Sequence, residues 1–203
     1  MYNNRRPYVS IDAETTGLDP DHCQILEVGA VIDDWVKPLD KLPKFHAYVY
    51  HDEIVGQPYA LQMNQSILRK IAGAQDAMRN VSFATVDGDL FLRSKAVPRA
   101  FADFLTACGG IDPKKAVLVA GKNFAGFDRP FLECLPGWNI PFHHRVIDPA
   151  MLYWNPDTDE VPPSLKRCME LAGIDGEVAH TAVEDALMVV KLVRGRYERN
   201  YQV

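Results

Sequence analysis

Five residues in three short segments are of the types and spacings that hold a metal ion and move a proton. Asp12 and Glu14 stand two apart at the end of an apolar run, in SIDAETTGLD. Along a strand, residues i and i+2 share a face, so both carboxylates project together. Adjacent carboxylates repel unless a cation lies between them, and hard oxygen ligands suit Mg²⁺ or Mn²⁺. The same pair also fits a solvated acidic turn, because Thr15, Thr16 and Gly17 follow directly. Asp128, in VAGKNFAGFDRPFL, falls near the start of an expected helix, where a carboxylate commonly serves only the helix dipole. Its place after a buried strand matters, since ligands of open α/β sheets collect near strand carboxyl ends. His180 and Asp185 lie in VAHTAVEDALMVV, the histidine just before the longest expected helix and the aspartate in its second turn. A histidine so placed leans over a metal held by the aspartate, and an ordinary pKa of ~6.5 suits it to taking a proton from water. Glu184 points elsewhere on that helix. Taken singly, each of these residues has a plain structural explanation.

Hydrophobic patterning gives the elements that must position them. Tyr8 to Ile11, Ile25 to Val31 and Lys44 to Tyr50 read as three consecutive strands in an antiparallel meander. Pro58 to Ala72 predicts one helix burying Leu61, Ile67, Leu68 and Ile71. Residues 73–96 are the least legible, an insertion that is either an exposed hairpin turning at Asp87-Gly88 or a loop. Val97 to Cys108 predicts a helix ended by Gly109-Gly110. Ala116 to Ala120 predicts a strand buried on both faces, Gly126 to Leu135 a helix and Val146-Ile147 a short strand. Ser164 to Ala172 predicts a helix capped by Ser164. Thr181 to Tyr197 predicts the longest helix, with Val183, Leu187, Val190 and Val193 on one face. Strands first and βα alternation afterwards predict a single α/β domain over residues 1–203, its mixed sheet flanked by helices.

Composition narrows the function classes. The 203 residues are 47% hydrophobic and 24% charged, a globular mixture. Twenty-two basic against 27 acidic residues give a net charge of −5, which argues against coating duplex through a basic face. An enzyme gripping a few phosphates is compatible with that charge. Cys23, Cys108, Cys134 and Cys168 lack the clustering of a zinc site and read as small, mostly buried thiols in a reducing cytoplasm. No apolar run approaches the ~18 residues of a membrane span, and MYNNRRPYVSID has no apolar signal segment. The NPDTDE stretch at 155–160 lacks the glycine and the final Glu of a calcium loop. His143-His144 reads as a surface pair. Lys191, Arg194, Arg196 and Arg199 form a basic helix end that suits the dipole.

Together the three segments resemble the DEDD superfamily of 3′–5′ exonucleases, in the branch with a histidine base that includes proofreading exonucleases and oligoribonuclease. Asp12-Ala13-Glu14, continuing through Thr15-Thr16-Gly17-Leu18-Asp19, matches its first motif; Asn123 to Asp128, followed by Phe131, matches its second; His180 through Asp185 matches its third. The tyrosine branch would place Tyr where Thr181 stands. The match covers residues 7–34 and 116–195. It implies an RNase H-like fold in which Asp12, Glu14, Asp128 and Asp185 hold two divalent cations, Mg²⁺ or Mn²⁺, and His180 deprotonates the attacking water. It also implies that backbone groups near Thr15, Thr16, Gly17 and Leu18 bind the terminal nucleotide. Leu18 would pack on its base, with Met63 and Asn64 where some relatives wedge the last bases, and Phe124 available for stacking. Asp148 matches a structural position. The implied partner is nucleic acid with a free 3′ end, single-stranded or frayed, and some relatives form homodimers or polymerase-associated complexes. The competing reading is a catalytically silent nucleic-acid or partner-binding module of the same fold, against which the presence of all five residues weighs.

Overall fold

The structure, a computed structural model, describes residues 5–176 and 181–199. Three strands open the chain, β1 (Tyr8–Thr15), β2 (Ile25–Asp33) and β3 (Lys44–Tyr50), paired antiparallel in the expected meander. Two helices follow, α1 (Pro58–Met63) and α2 (Gln65–Gly73), then the hairpin β4 (Phe83–Val86) and β5 (Asp89–Arg93). The rest is α3 (Val97–Gly109), the two-residue strand β6 (Val119–Ala120), and helices α4 (Asp128–Glu133), α5 (Pro149–Tyr153), α6 (Leu165–Ala172) and α7 (Ala182–Arg199). The sheet runs β4-β5-β3-β2-β1-β6, with β6 parallel to β1 and β5 parallel to β3. This is the mixed α/β sheet expected from the sequence, flanked by helices.

Alternation along the central strands sorts the two faces. Val9, Ile11, Val28, Ala30, Ile32, Phe45, Ala47 and Val49 pack against Phe101, Phe104 and Leu105 of α3. The opposite face carries Tyr8 and Val31, which meet Ala186, Val189, Val190 and Val193 of α7. On that same side Tyr48 and Tyr50 meet Ile67 and Ile71 of α2. Arg194 of α7 forks onto Asp33 at the end of β2, at 2.5–3.2 Å, and also donates to Lys37 O. One member of the basic helix end is therefore spent inside the fold.

Several local expectations are corrected. The single helix over 58–72 is two, because Asn64 leaves helical geometry and its Nδ2 donates to Thr15 O at 3.0 Å. Residues 83–93 form the hairpin alternative, turning through Asp87 and Gly88 at φ 51° and 87°. Those positive angles are what a two-residue hairpin turn needs. The hairpin extends the sheet beyond β3. The strand over 116–120 pairs only at Val119–Ala120, with single bridges from Val117 to Phe142 and from Ala120 to Ile147. The strand expected at Val146-Ile147 is reduced to that second bridge. On α7, Val183 and Leu187 are only half-buried while Ala182, Ala186, Val189 and Leu192 are buried. Leu192 packs with Tyr153 of α5 and Cys168 of α6, so neighbours on two sides rotate the apolar arc. Only Cys168 of the four thiols is buried; Cys108 and Cys134 are exposed. Among the described residues no helix is long and apolar enough to cross a membrane.

Candidate active site

The last residues of β1 reach past β6, which stops at Ala120 after pairing with Val9 and Ser10. The β1 edge beyond that point needs another partner, since a buried backbone N–H left unpaired is costly. Asp128 supplies it: its Oδ1 accepts from Ala13 N at 2.9 Å. The turn between β6 and α4 makes this reach work. Asn123 takes φ 59°, a left-handed conformation that Asn tolerates, and its N–H donates to Asp148 Oδ2 at 2.9 Å. Asp148 also caps α5 through Ala150 N, a structural part, as expected.

Asp185 arrives from the opposite side of the sheet edge. The start of α7 lies directly on β2 at Gly29, where a Cβ would meet the backbone of Ala182 and Val183 at 2.1 Å. Gly29 is the register partner of Asp12, so this close approach delivers the first turn of α7 to the β1 carboxylates. Thr181 Oγ1 donates to Glu184 Oε2 at 2.8 Å, which keeps Glu184 on the outer face. The result is one cluster: carboxylate oxygens of Asp12, Glu14 and Asp185 lie within 4.8 Å of one another. Asp128 joins electrostatically and is the largest charged influence on Asp12 after burial itself. His180 lies outside the described residues.

Gly29 was not legible as a site residue; its only sequence signal is a glycine inside an otherwise branched strand, which marks close backbone approach. Gly29→Ala is expected to push α7 away from β2. A destabilisation of ~1–3 kcal/mol follows from overpacking of this kind, with weakened divalent-cation binding as Asp185 withdraws. Thermal melting and Mn²⁺ titration of the variant check both, and wild-type values in both would contradict this placement of α7.

The cluster's electrostatics fit a cation. Burial, then Asp128, Glu14, Asp185 and Glu27, raise Asp12 well above the usual carboxylate range. Burial raises Asp128 to about 7, against the lowering effect of the Ala13 hydrogen bond. Among the described residues the cluster offers oxygen donors alone, a set that suits a hard divalent ion. In cation-free protein these carboxyls keep protons that the unfolded chain loses near pH ~4. Their stabilising effect is therefore complete below that pH and declines as pH rises, that of Asp128 being gone above about 7. Chelated protein is expected to melt at a lower temperature at pH 8 than at pH 5.5, with Mg²⁺ narrowing the gap. A gap indifferent to Mg²⁺ would contradict a cation site here.

The loop after β1 is braced internally. Thr15 Oγ1 donates to Gly17 O at 2.7 Å; Thr16 Oγ1 donates to Val55 O at 2.6 Å and accepts from Gln24 N at 2.8 Å. The threonine side chains are thus committed to loop shape, and so is much of the backbone: Thr16 N donates to Gln24 O at 2.8 Å and Thr16 O accepts from Gln57 N at 2.7 Å. Leu18 projects outward at 75% exposure and Met63 at 54%, both open to a ligand. Asn64 is buried and braces Thr15, which corrects its expected role against the bases. Phe124 is also corrected: it is sealed in the core, edge-on to Phe142, with no face for stacking. Sequence reading missed Gln57, whose Oε1 accepts from Leu18 N at 3.3 Å.

No protein-family model matches the chain, and no curated protein matches it in sequence. Solved structures do match in fold. Exonuclease I of E. coli in a complex with single-stranded DNA superposes with a TM-score of 0.65 at 15% identity, covering 98% of this chain and 42% of that one. A moderately thermophilic exonuclease I from Methylocaldum szegediense gives 0.63 at 17% identity, over 97% and 41%. Cell-death related nuclease 4 gives 0.64 at 16% identity, over 95% and 64%. The chain spans less than half the length of the exonuclease I proteins. It shares with these nucleases the RNase H-like fold.

Proposed function

We propose that the chain is one exonuclease domain, over residues 1–203, of the histidine branch of the DEDD superfamily. It hydrolyses terminal phosphodiester bonds at single-stranded DNA or RNA 3′ ends. The observation that carries this reading is the convergence of Asp12, Glu14 and Asp185 within 4.8 Å, beside an Asp128 pinned to the β1 edge. The fold neighbours lend support, since one of them is a complex of exonuclease I with single-stranded DNA.

In this reading Asp12, Glu14, Asp128 and Asp185 hold two Mg²⁺ or Mn²⁺ ions. Bound there, the cations supply Lewis acidity, making water acidic enough to attack at neutral pH and neutralising charge on the leaving 3′ oxygen. Water attacks the terminal phosphorus, the P–O3′ bond breaks, and a nucleoside 5′-monophosphate leaves a strand with a new 3′-hydroxyl. His180 takes the proton from the attacking water. The backbone at Thr15 to Leu18 seats the terminal nucleotide, and the exposed Leu18 and Met63 side chains pack against its base and the one before it. Two divalent ions bring the net charge of the chain from −5 to −1 and offset the four carboxylates that hold them, so the loaded site does not repel phosphate. A few-nucleotide grip then suffices, with no long basic footprint on duplex.

A substrate panel tests this: single-stranded DNA, duplex with mismatched ends, RNA and dinucleotides, each with Mg²⁺ and with Mn²⁺. Release of 5′-mononucleotides from at least one single-stranded substrate is the expected result. Binding without cleavage across the whole panel would favour the silent module instead.

A further inference from the structure

β2 carries a carboxylate that the chemistry above does not use. Glu27 is buried at 0% exposure and is the register partner of Glu14. Directly opposed residues of an antiparallel pair share a face with Cβ atoms ~5 Å apart. The Glu27 side chain therefore stands on the face that carries Asp12 and Glu14. The register shifts just here, between Glu14 and Thr15, a bulge of the kind that re-aims side chains beside active sites. Glu27 Oε1 accepts from His46 Nε2 on β3 at 2.5 Å. Glu27 Oε2 is buried with no hydrogen-bond partner among the described residues. Its charge also reaches Asp12.

A buried acceptor without a donor is costly, and the charge of Glu27 repels that of Asp12. A hydrated divalent cation reverses both effects. Mg²⁺ keeps several of its waters when bound by few carboxylates, and those waters are strong donors. We propose that Glu27 is a positioning residue for the cation site, its Oε2 accepting a hydrogen bond from a water of the hydrated ion held by Asp12, Glu14 and Asp185. His46 holds the other oxygen and so sets the orientation of the carboxylate. The proposal rests on the cation-binding reading of the cluster and adds to it a fifth acidic residue acting through water.

Mn²⁺ titration without nucleic acid, followed by the electron paramagnetic resonance of the free ion, tests it on the full chain. Glu27→Gln removes the charge at nearly constant shape. Outer partners of a metal site typically matter by 10–100-fold in affinity, so Mn²⁺ binding is expected to weaken by at least ~10-fold with unchanged stoichiometry and an unchanged fold. Glu27→Asp keeps the charge but withdraws the oxygen, and is expected to bind more weakly than wild type; it carries the test should the Gln variant not fold. Wild-type affinity in either variant would overturn the proposal, as would loss of a whole ion from the Gln variant's stoichiometry. Wild-type protein that binds no Mn²⁺ would instead overturn the cation site itself, and this proposal with it.

Discussion

Asp12→Ala and Asp185→Ala are each expected to abolish 3′-end hydrolysis while leaving the fold intact. Each residue supplies an oxygen to the same 4.8 Å cluster from a different element, β1 or α7. Losing either one leaves the cation site without a wall. Cation stabilisation of a phosphoryl transition state amounts to several kcal/mol, and 4 kcal/mol is a factor on the order of 10³ in rate. The structural cost runs the other way. Burial and then its carboxylate neighbours raise the Asp12 carboxyl well above the usual range, so the cluster is strained in cation-free protein and removing one carboxyl relieves that strain. Wild-type or higher melting temperatures, together with activity down by at least about 10³-fold, are expected from thermal melts and single-turnover assays. Activity within tenfold of wild type would remove these residues from the chemistry.

Arg194→Met is expected to produce the largest loss of stability. Asp33 has 0% side-chain exposure and Arg194 12%, with the guanidinium fork made through Nε and Nη2. Breaking such a buried pair from one side costs about 3–5 kcal/mol, because the surviving charge stays in a low-dielectric place. Trp35 N still donates to Asp33 Oδ1 at 2.7 Å and offsets part of that cost. The double variant Asp33→Leu with Arg194→Met removes both charges and is expected to recover most of the loss. The pair also holds α7 to β2 about two and a half turns beyond Asp185, so weaker cation binding should accompany the single change. Urea unfolding of the two variants decides it: equal stability of the single and double variants would contradict the buried-charge explanation.

The parts of this molecule that the sequence revealed are those whose partners are close along the chain. The meander of β1 to β3 is legible because each strand carries its own local signal, an apolar run in β1 and β2 and alternation in β3. Ser164 announces α6 because the cap hydrogen bond is local, its hydroxyl accepting from Arg167 N at 3.2 Å. Asp12 and Glu14 are legible as a pair for the same reason, two residues apart on one strand. What long-range packing decides was not legible. The break at Asn64 comes from a hydrogen bond to Thr15, 49 residues away. The hairpin over 83–93 earns its place in the sheet from β3, about 40 residues upstream in the register of Tyr48 with Phe91. Phe124 reads as an available aromatic until the Phe142 ring is seen to cover it. Gly29 and Glu27 sit in an ordinary strand sequence, and their importance comes wholly from what lies across from them: the start of α7, and Glu14.

The most direct measurement is the degradation of a 5′-labelled single-stranded oligonucleotide by the purified protein, in Mg²⁺ and then with a chelator. A ladder shortening one nucleotide at a time from the 3′ end, with 5′-monophosphates released, arrested by chelation and restored by Mg²⁺, is the expected result. Intact oligonucleotide in Mg²⁺ and in Mn²⁺, internal cuts, or shortening that persists in the chelator would contradict a cation-dependent 3′–5′ exonuclease built on Asp12, Glu14, Asp128 and Asp185.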